Sequence, residues 1–97
     1  MIYYIKRVAM NFEWDENKNL LNIEKHGISF GEAIKAFSDP KRKIRFNKKH
    51  SAEEMRYYCL GMVDGRVMTV RFIIRSNKIR IIGAGYWREG RKIYEQN

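Results

Sequence analysis

The residues best suited to chemistry in this chain are one histidine, the lysine beside it and a large number of arginines. His26 follows Lys25 and precedes Gly27. A histidine side chain usually titrates near pH 6.5, which suits proton transfer at neutral pH. Arginine binds phosphate through paired hydrogen bonds, which lysine does less well. A proton-transfer group and several cations are what general acid–base chemistry at a phosphate group requires.

Several of these residues also have a purely structural interpretation. His26 and Lys25 fall at the end of a predicted helix, where cations are favoured and a histidine can bond the last carbonyls. His50 lies in a polar loop beside two lysines and is interpreted as a surface residue. Asp15 and Glu32 are acids that helix capping explains. Both interpretations of His26 stay open at this point.

The net positive charge comes entirely from the second part of the chain. Residues 1–40 hold five Lys/Arg against six Asp/Glu, a net charge of −1, and residues 41–97 hold fifteen against five, a net charge of +10. Such a one-sided field attracts polyanions, because neutralised phosphates release their condensed counterions. The alternative is a solvated basic surface that keeps the protein soluble.

Length and composition predict one domain without a metal or a cofactor. The 97 residues suit a single core, with residues 1–9 as an N-terminal extension and residues 10–97 as the domain. The lone Cys59 has no internal disulfide partner, and two histidines 24 positions apart form no zinc-type cluster. No run reaches the ~18 apolar residues of a membrane span, and no secretory signal is evident, so we expect a cytoplasmic protein.

Local signals predict two helices early in the chain. Asp15 is a suitable N-cap for the first helix and Gly27 a suitable stop. Its buried stripe is predicted to be Leu20, Leu21 and Ile23. Before it, the alternation in NFEWD predicts a short strand.

The second helix has a complete start signal. Ser29 and Glu32 fit the capping box, with Ile28 able to contact Ala33 across the first turn. Asp39-Pro40 predicts its end. One face of this helix consists of Phe30, Ala33, Ile34 and Phe37. A third helix is predicted over residues 85–97, although Gly90 costs it on the order of 1 kcal/mol.

Residues 42–84 alternate with a period of two, which is typical of strands. Asp64-Gly65 is a strong hairpin signal and Ser76-Asn77 a weaker one. The two turns set Val63 opposite Arg66, Cys59 opposite Val70, Tyr58 opposite Arg71, Arg56 opposite Ile73, Ile73 opposite Arg80, Phe72 opposite Ile81 and Ile74 opposite Ile79.

This register divides the side chains between two faces of the sheet. The predicted core face consists of Met55, Tyr57, Cys59, Val70, Phe72, Ile74, Ile79 and Ile81. The other face consists of Arg56, Tyr58, Arg71, Ile73, Arg75, Arg80 and Ile82, and Arg45 lies on the basic side of the preceding strand. Like charges on adjacent strands repel, so this face favours a counter-anion, although a solvated surface that tolerates arginine is the alternative.

Residues 12–40, FEWDENKNLLNIEKHGISFGEAIKAFSDP, resemble the opening of BrnT-type ribonuclease toxins of bacterial type II toxin-antitoxin systems. The resemblance runs from about Met10 to Tyr94. The shared features in the first part are Trp14-Asp15, Lys18, Asn22, Lys25-His26-Gly27, Ser29-Phe30, Glu32-Ala33, Phe37 and Asp39-Pro40. Those in the second part are Glu54 with Arg56, Gly61, VRFIIR, IRIIGA and Tyr94.

The resemblance implies an α+β, RelE-like fold, with two N-terminal helices, a C-terminal helix and a mostly antiparallel sheet of four to five strands that carries its helices on one face. It implies a metal-independent endoribonuclease neutralised by a ribbon-helix-helix, BrnA-like antitoxin, with operator DNA bound only through the antitoxin. The candidate catalytic residues are His26, Lys25, Arg56 and Arg80. The candidate RNA-binding residues are Arg45, Tyr58, Arg71 and Arg75, with Tyr58 stacking a base, relaying a proton or serving as a cross-strand aromatic.

One departure from the family's pattern favours a competing hypothesis. Many relatives read RIISAR where this chain has Gly83 and Gly85 in place of the serine and the last arginine. The competing hypothesis is a non-catalytic module, an inactivated toxin that binds nucleic acid or an antitoxin.

Overall fold

One sheet and three α-helices make up most of the chain. The structure is a computed structural model and describes residues 2–5, 8–47 and 54–96. The strands are β1 (Ile2–Ile5), β2 (Val8–Trp14), β3 (Lys43–Phe46), β4 (Arg56–Val63), β5 (Arg66–Arg75) and β6 (Lys78–Gly85). The helices are α1 (Glu16–His26), α2 (Phe30–Ala33), which continues as a 3₁₀-helix (Ile34–Ser38), and α3 (Arg88–Glu95). His50, interpreted above as a surface residue, lies outside the described residues.

The sheet has the strand order β1-β2-β6-β5-β4-β3 within the described residues. β2 and β6 are parallel and all the other neighbours are antiparallel, which confirms a mostly antiparallel α+β fold. The five predicted strands are all present. β1, inside the expected N-terminal extension, adds a sixth by pairing with β2. The exclusion of residues 1–9 from the native domain stays a prediction.

The two hairpin turns are confirmed, and with them the predicted register. Both residues of each turn have positive φ: 51° and 82° at Asp64 and Gly65, and 51° and 63° at Ser76 and Asn77. Two consecutive positive φ values match the twist of antiparallel strands. Every predicted strand pair from Val63–Arg66 to Ile74–Ile79 is observed. An irregularity in the β5–β6 pairing next to Arg71 then places that residue opposite Gly83.

Burial along the sheet departs from the simple division into a core face and an open face at three positions. Met55 and Ile74, assigned to the core face, are about half exposed, because Met55 lies just before β4 and Ile74 near the end of β5, away from the buried centre of the sheet. Ile73, assigned to the open face, is only 2% exposed. It lies between Arg56 of β4 and Arg80 of β6, whose long aliphatic stems are suited to cover it.

The ends of α1 follow the sequence signals, but its buried side does not. The Asp15 carboxylate accepts from the Asn17 N–H at 2.8 Å, and Gly27 takes the left-handed conformation at φ 68°. The predicted stripe is wrong: Leu20, Leu21 and Ile23 are all exposed.

The buried residues of α1 are Asn19 and Asn22. Asn19 Oδ1 accepts from the Phe30 N–H at 2.8 Å, and the Asn22 side chain bonds the backbone of Ile28 and Ala84. This side of α1 faces backbone groups that need partners, so buried amides serve it better than leucines.

α2 and the 3₁₀-helix cover the core face of the sheet. The capping box is complete, since Ser29 Oγ accepts from the Glu32 N–H at 3.0 Å and the Glu32 carboxylate accepts from the Ser29 N–H at 3.2 Å. The predicted apolar face is confirmed as buried, and Phe37 contacts both Phe12 and Phe72 edge-on. The chain turns extended at Asp39, as expected of a residue before proline.

α3 packs on the opposite face of the sheet, which corrects the expectation of helices on one face. Gly90 lies so close to β5 that a Cβ there would meet Thr69 Oγ1 at 2.0 Å and the Leu60 side chain at 3.1 Å. Thr69 and Leu60 belong to the same face as Arg71 and Tyr58, by their alternation along the strands. Gly90 therefore permits the close approach of α3 to the sheet, which offsets its low helix propensity.

Candidate nucleic-acid interface

The predicted basic side chains share one sheet face, here called the arginine face and consisting of Arg45, Arg56, Tyr58, Arg71, Arg75 and Arg80. The strand register arranges most of them in two rows across the sheet. The first row runs Arg45, Tyr58, Arg71, Gly83, and the second runs Arg56, Ile73, Arg80, Glu13. Because neighbouring strands lie about 4.8 Å apart, Arg45 and Arg71 stand two strands apart within reach of one phosphate chain.

The first row carries two exposed cations. Arg45 and Arg71 are both exposed, and neither forms an ion pair within the described residues. Among the residues that the structure describes, the Arg45 guanidinium donates to the Ile44 carbonyl at 3.1 Å. Tyr58, half-buried, lies between them in the register. Within the described part of the chain, no carboxylate therefore competes with an anionic ligand for these two arginines.

Two other predicted site arginines already have acidic partners. Arg80 lies 3.3 Å from Glu13, which also lies 3.8 Å from Lys78, and the Arg80 and Glu13 side chains are each about a quarter exposed (27% and 28%). Arg75 pairs with Glu54 at 3.1 Å on the surface, where such pairs contribute about 0 to 1 kcal/mol. An RNA phosphate that binds here would therefore have to share each arginine with its carboxylate partner or displace that carboxylate. Arg56 is half-buried in the second row.

His26 reaches the arginine face through a tryptophan. Its ring meets the Trp87 ring edge-on, with the centroids 5.3 Å apart. Arg71 Cζ lies 5.5 Å from the centroid of the same Trp87 ring, a cation–π contact. No hydrogen bond joins His26 to the carbonyls of its own helix in the part of the chain that the structure describes. The structural alternative for His26, a bond to the helix end, is not observed there.

Lys25 is exposed in the last turn of α1, and within the described ranges it has no ion pair or hydrogen bond to the arginine face. The structure thus joins His26, Trp87 and Arg71, and leaves Lys25 apart from them. Trp87 itself was not identified from the sequence. An aromatic residue beside a helix start carries no local signal for a contact with another helix and another strand.

Gly83 and Gly85 make room for this arrangement. A Cβ on Gly83 would lie 2.5 Å from an Arg71 guanidinium nitrogen, and a Cβ on Gly85 would lie 2.6 Å from the Trp87 indole. Real Cβ atoms do not approach so closely, so Arg71 or Trp87 would have to shift. The two glycines are therefore part of the geometry of the site.

A second basic cluster, the arginine groove, was also missed by sequence reasoning. It is a cavity of about 490 Å³ lined by Arg66, Arg88 and Arg91 together with Tyr86, Trp87 and Glu95, which lies 3.8 Å from Arg91. The Arg66 guanidinium lies 3.8 Å above the Tyr86 ring. The spacing of Arg88 and Arg91 indicates one helix face, but no local signal shows that Arg66, just after the Asp64-Gly65 turn, lies beside it.

The most strongly shifted pKa values belong to structural groups. Burial raises the pKa of the Asp39 carboxyl, but hydrogen bonds from the Tyr94 hydroxyl and from the N–H groups of Met62 and Lys41 outweigh it and lower the pKa overall. The same Tyr94–Asp39 bond, 2.5 Å long, raises the pKa of Tyr94 to about 12. Burial raises the pKa of the Cys59 thiol to about 12. The Asp39 bonds connect the end of the 3₁₀-helix to Tyr94 of α3 and Met62 of β4, and Cys59 lies in the core.

Asp15 and Glu32 are confirmed as helix caps. Among the described residues, no three His, Cys, Asp or Glu side chains form a group that could hold a metal ion. None of the helices there combines the length and the apolar character needed to cross a bilayer.

Fold and site together define a small α+β protein whose sheet exposes arginines beside a histidine–tryptophan contact. The chain belongs to the BrnT family: the model of the BrnT ribonuclease toxin of type II toxin-antitoxin systems matches residues 14–90. The match confirms the resemblance seen in the sequence, and membership implies an antitoxin partner. No curated protein sequence matches the chain.

Proposed function

We propose that this protein is a metal-independent endoribonuclease toxin that cleaves RNA by attack of a 2′-hydroxyl on the adjacent phosphate. The observation that supports this most directly is the first row of the arginine face. Arg45 and Arg71 have no carboxylate partner within the described residues, and Arg71 connects through Trp87 to His26. A single-stranded RNA laid along this row meets cations, aromatic rings and a group that can transfer protons.

The proposed division of roles follows from the chemistry of the step. His26 moves the proton, either from the 2′-hydroxyl or to the leaving 5′-oxygen. Arg56, Arg71 and Arg80 stabilise the extra negative charge that develops on the phosphate oxygens. Glu13 orients Arg80 through the 3.3 Å pair and shares it with the phosphate when RNA is bound. Lys25 is a supplementary cation beside His26.

Substrate binding extends beyond the reacting phosphate. Arg45 and Arg75 bind neighbouring phosphates, and Tyr58 stacks a base. The arginine groove continues the basic surface past Trp87, because Trp87 lines both this groove and a cavity on the arginine face. A strand that crosses Trp87 would keep contact with arginines on both sides.

The proposed partner is a ribbon-helix-helix, BrnA-like antitoxin in the cytoplasm, and operator DNA is bound only through it. Type II membership supports the partner itself. The three exposed apolar side chains of α1 support a protein contact as well. Leu20, Leu21 and Ile23 are 57%, 51% and 41% exposed, an unusual display that a partner would bury.

Two observations favour the competing function, a non-catalytic module. Arg80 is already paired with Glu13, and the relatives' serine and arginine are replaced by Gly83 and Gly85. A chain that binds RNA or antitoxin without cleaving RNA would satisfy both facts.

RNA cleavage by the purified chain in the presence of EDTA distinguishes the two functions. Attack by the 2′-hydroxyl leaves a 2′,3′-cyclic phosphate and a 5′-hydroxyl, and these ends are expected on the products. Growth arrest on expression, relieved by the small protein encoded next to this one, is the matching result in cells. RNA binding without any cleavage would support the non-catalytic module instead.

A further inference from the structure

A cavity of about 240 Å³ lies where α3 crosses the arginine face. Leu60 of β4 and Ile93 of α3 give it apolar walls, and Tyr58 and Trp87 add two aromatic rings. A cavity with apolar and aromatic walls fits a flat, partly apolar ligand better than a bare phosphate.

Two oppositely charged side chains line the same cavity without pairing with each other. Arg71 on β5 and Glu89 in the first turn of α3 both contribute to its wall. Neither forms an ion pair with any residue that the structure describes. The guanidinium N–H groups of Arg71 and the carboxylate oxygens of Glu89 can therefore donate to and accept from one bound molecule.

The glycines on β6 shape this wall. The indole of Trp87 lies against Gly85 and the guanidinium of Arg71 against Gly83, at places that a side chain on either residue would occupy. Gly83 and Gly85 therefore lie directly behind Arg71 and Trp87, the two residues that form one side of the cavity. Their effect is to let an aromatic ring and a guanidinium lie together at its mouth.

We propose that this cavity binds an unpaired guanine base of the RNA, which rests on the proposed function of the arginine face. Guanine presents O6 and N7 as acceptors, which match the Arg71 guanidinium. Its N1–H and N2–H₂ groups are neighbouring donors, which match the Glu89 carboxylate. Adenine places an acceptor at N1, which the carboxylate repels. Trp87 and Tyr58 contribute stacking, which is worth about 1 to 3 kcal/mol per base.

The position of Arg71 couples this base to the phosphates. Arg71 belongs both to the cavity and to the first row of the arginine face. A guanine in the cavity therefore holds its own phosphate next to the row that contains Arg45. The cavity sets which nucleotide is placed there, and the row neutralises its backbone.

Binding of three short RNAs tests this proposal directly. The pentanucleotides UUGUU, UUAUU and UUIUU, where I is inosine, carry 2′-fluoro riboses, so no 2′-hydroxyl is present and cleavage cannot occur. Fluorescence anisotropy at one fixed salt concentration is expected to show that UUGUU binds about ten-fold more tightly than UUAUU. UUIUU is expected to fall between them, because inosine keeps N1–H but lacks the N2 amine.

Glu89→Gln is expected to reduce the ten-fold preference to less than about three-fold, while binding of UUAUU changes little. Glu24→Gln, which removes the same charge from an exposed position on α1, is expected to keep the full preference. Equal affinity for all three RNAs, or a preference that survives Glu89→Gln, overturns the guanine pocket.

Cleavage of unmodified RNA, measured in parallel, separates the two proposals. If unmodified RNA is cleaved but binding shows no preference for guanine, the guanine-pocket proposal is wrong and the ribonuclease proposal stands. If binding prefers guanine but no RNA is cleaved, the ribonuclease proposal is wrong and the guanine-pocket proposal stands. Failure to bind any of the three oligonucleotides, together with no cleavage of unmodified RNA, overturns both proposals.

Discussion

Both ends of the Asn22 side-chain amide bind the backbone of Ala84. The amide nitrogen lies 3.0 Å from the Ala84 carbonyl oxygen, and the amide oxygen lies 3.2 Å from the Ala84 nitrogen. The same amide nitrogen donates to the Ile28 carbonyl at 2.9 Å. These bonds hold the C-terminal half of α1, which ends at His26, against the strand end that contains Gly83 and Gly85. A buried amide therefore positions the candidate site.

Removal of this amide is expected to destabilise the protein. Asn22→Ala leaves backbone groups of Ala84 and Ile28 buried without partners, at about 1 to 3 kcal/mol per group. We expect the free energy of unfolding to fall by about 2 to 4 kcal/mol in urea titrations. Asn17→Ala, at an exposed position on the same helix, is expected to stay within about 0.5 kcal/mol of the parent. A similar effect of both substitutions would show that the Asn22 bonds contribute little.

The catalytic role of the second row predicts a loss of activity without loss of fold. Arg56→Ala and Arg80→Ala are expected to abolish RNA cleavage while the circular dichroism spectrum stays unchanged. Lys35→Ala removes one positive charge from an exposed position on the 3₁₀-helix, which packs on the opposite side of the sheet, and should keep full activity. Full cleavage by both purified arginine variants would show that the arginine face is not the active site.

The RNA-binding role of Arg71 predicts a change in salt dependence. On single strands, loss of one phosphate contact lowers the slope of log affinity against log salt by about 0.7. Arg71→Ala is expected to show this change in anisotropy titrations over a range of salt concentrations. Lys35→Ala provides the charge-matched control. An unchanged slope for Arg71→Ala, with the weaker binding confined to one base, would assign Arg71 to the base alone.

His26 is expected to matter more for cleavage than for stability. His26 is exposed, and its ring contact with Trp87 is its one partner among the described residues. His26→Gln should therefore leave the free energy of unfolding within about 0.5 kcal/mol of the parent. The rate of RNA cleavage should fall about 10²-fold, as for loss of a proton-transfer group. A collapse of the melting temperature with little change in rate would favour the structural role.

The Tyr94–Asp39 bond predicts a loss of stability at both extremes of pH. The pKa of Tyr94 is raised from 10.0 to about 12. The contribution of its hydroxyl to the free energy of unfolding is therefore complete below pH 10 and disappears as the pH rises towards 12. The pKa of Asp39 is lowered from 3.8, so its contribution is present above that value and disappears as the pH falls through the lowered pKa.

Urea titrations of the parent and of Tyr94→Phe measure the alkaline part of this effect. The gap in stability between them is expected to close between pH 10 and pH 12, because phenylalanine has no hydroxyl to ionise. Cys59 also titrates at high pH, but it does so in both proteins and cancels in the comparison. A constant gap across this range would contradict the prediction.

The sequence by itself determined the local geometry of this protein. The Asp64-Gly65 and Ser76-Asn77 turns fixed the register, and with period-two alternation the register placed Tyr58, Arg71 and Arg80 on one face. The helix caps at Asp15 and Ser29 followed in the same way. Turn and cap preferences act over two to four residues, so they can be recognised without knowledge of the rest of the fold.

Only the tertiary structure decided what surrounds the arginine face. The packing of α3 on that face, the place of Trp87 between His26 and Arg71, and the pairing of Arg80 with Glu13 each join residues far apart in the chain. The same holds for α1, where leucines face outward and Asn22 is buried against Ala84. Helical periodicity gives the spacing of a face but not its neighbours, and here the neighbours were backbone groups in need of hydrogen bonds.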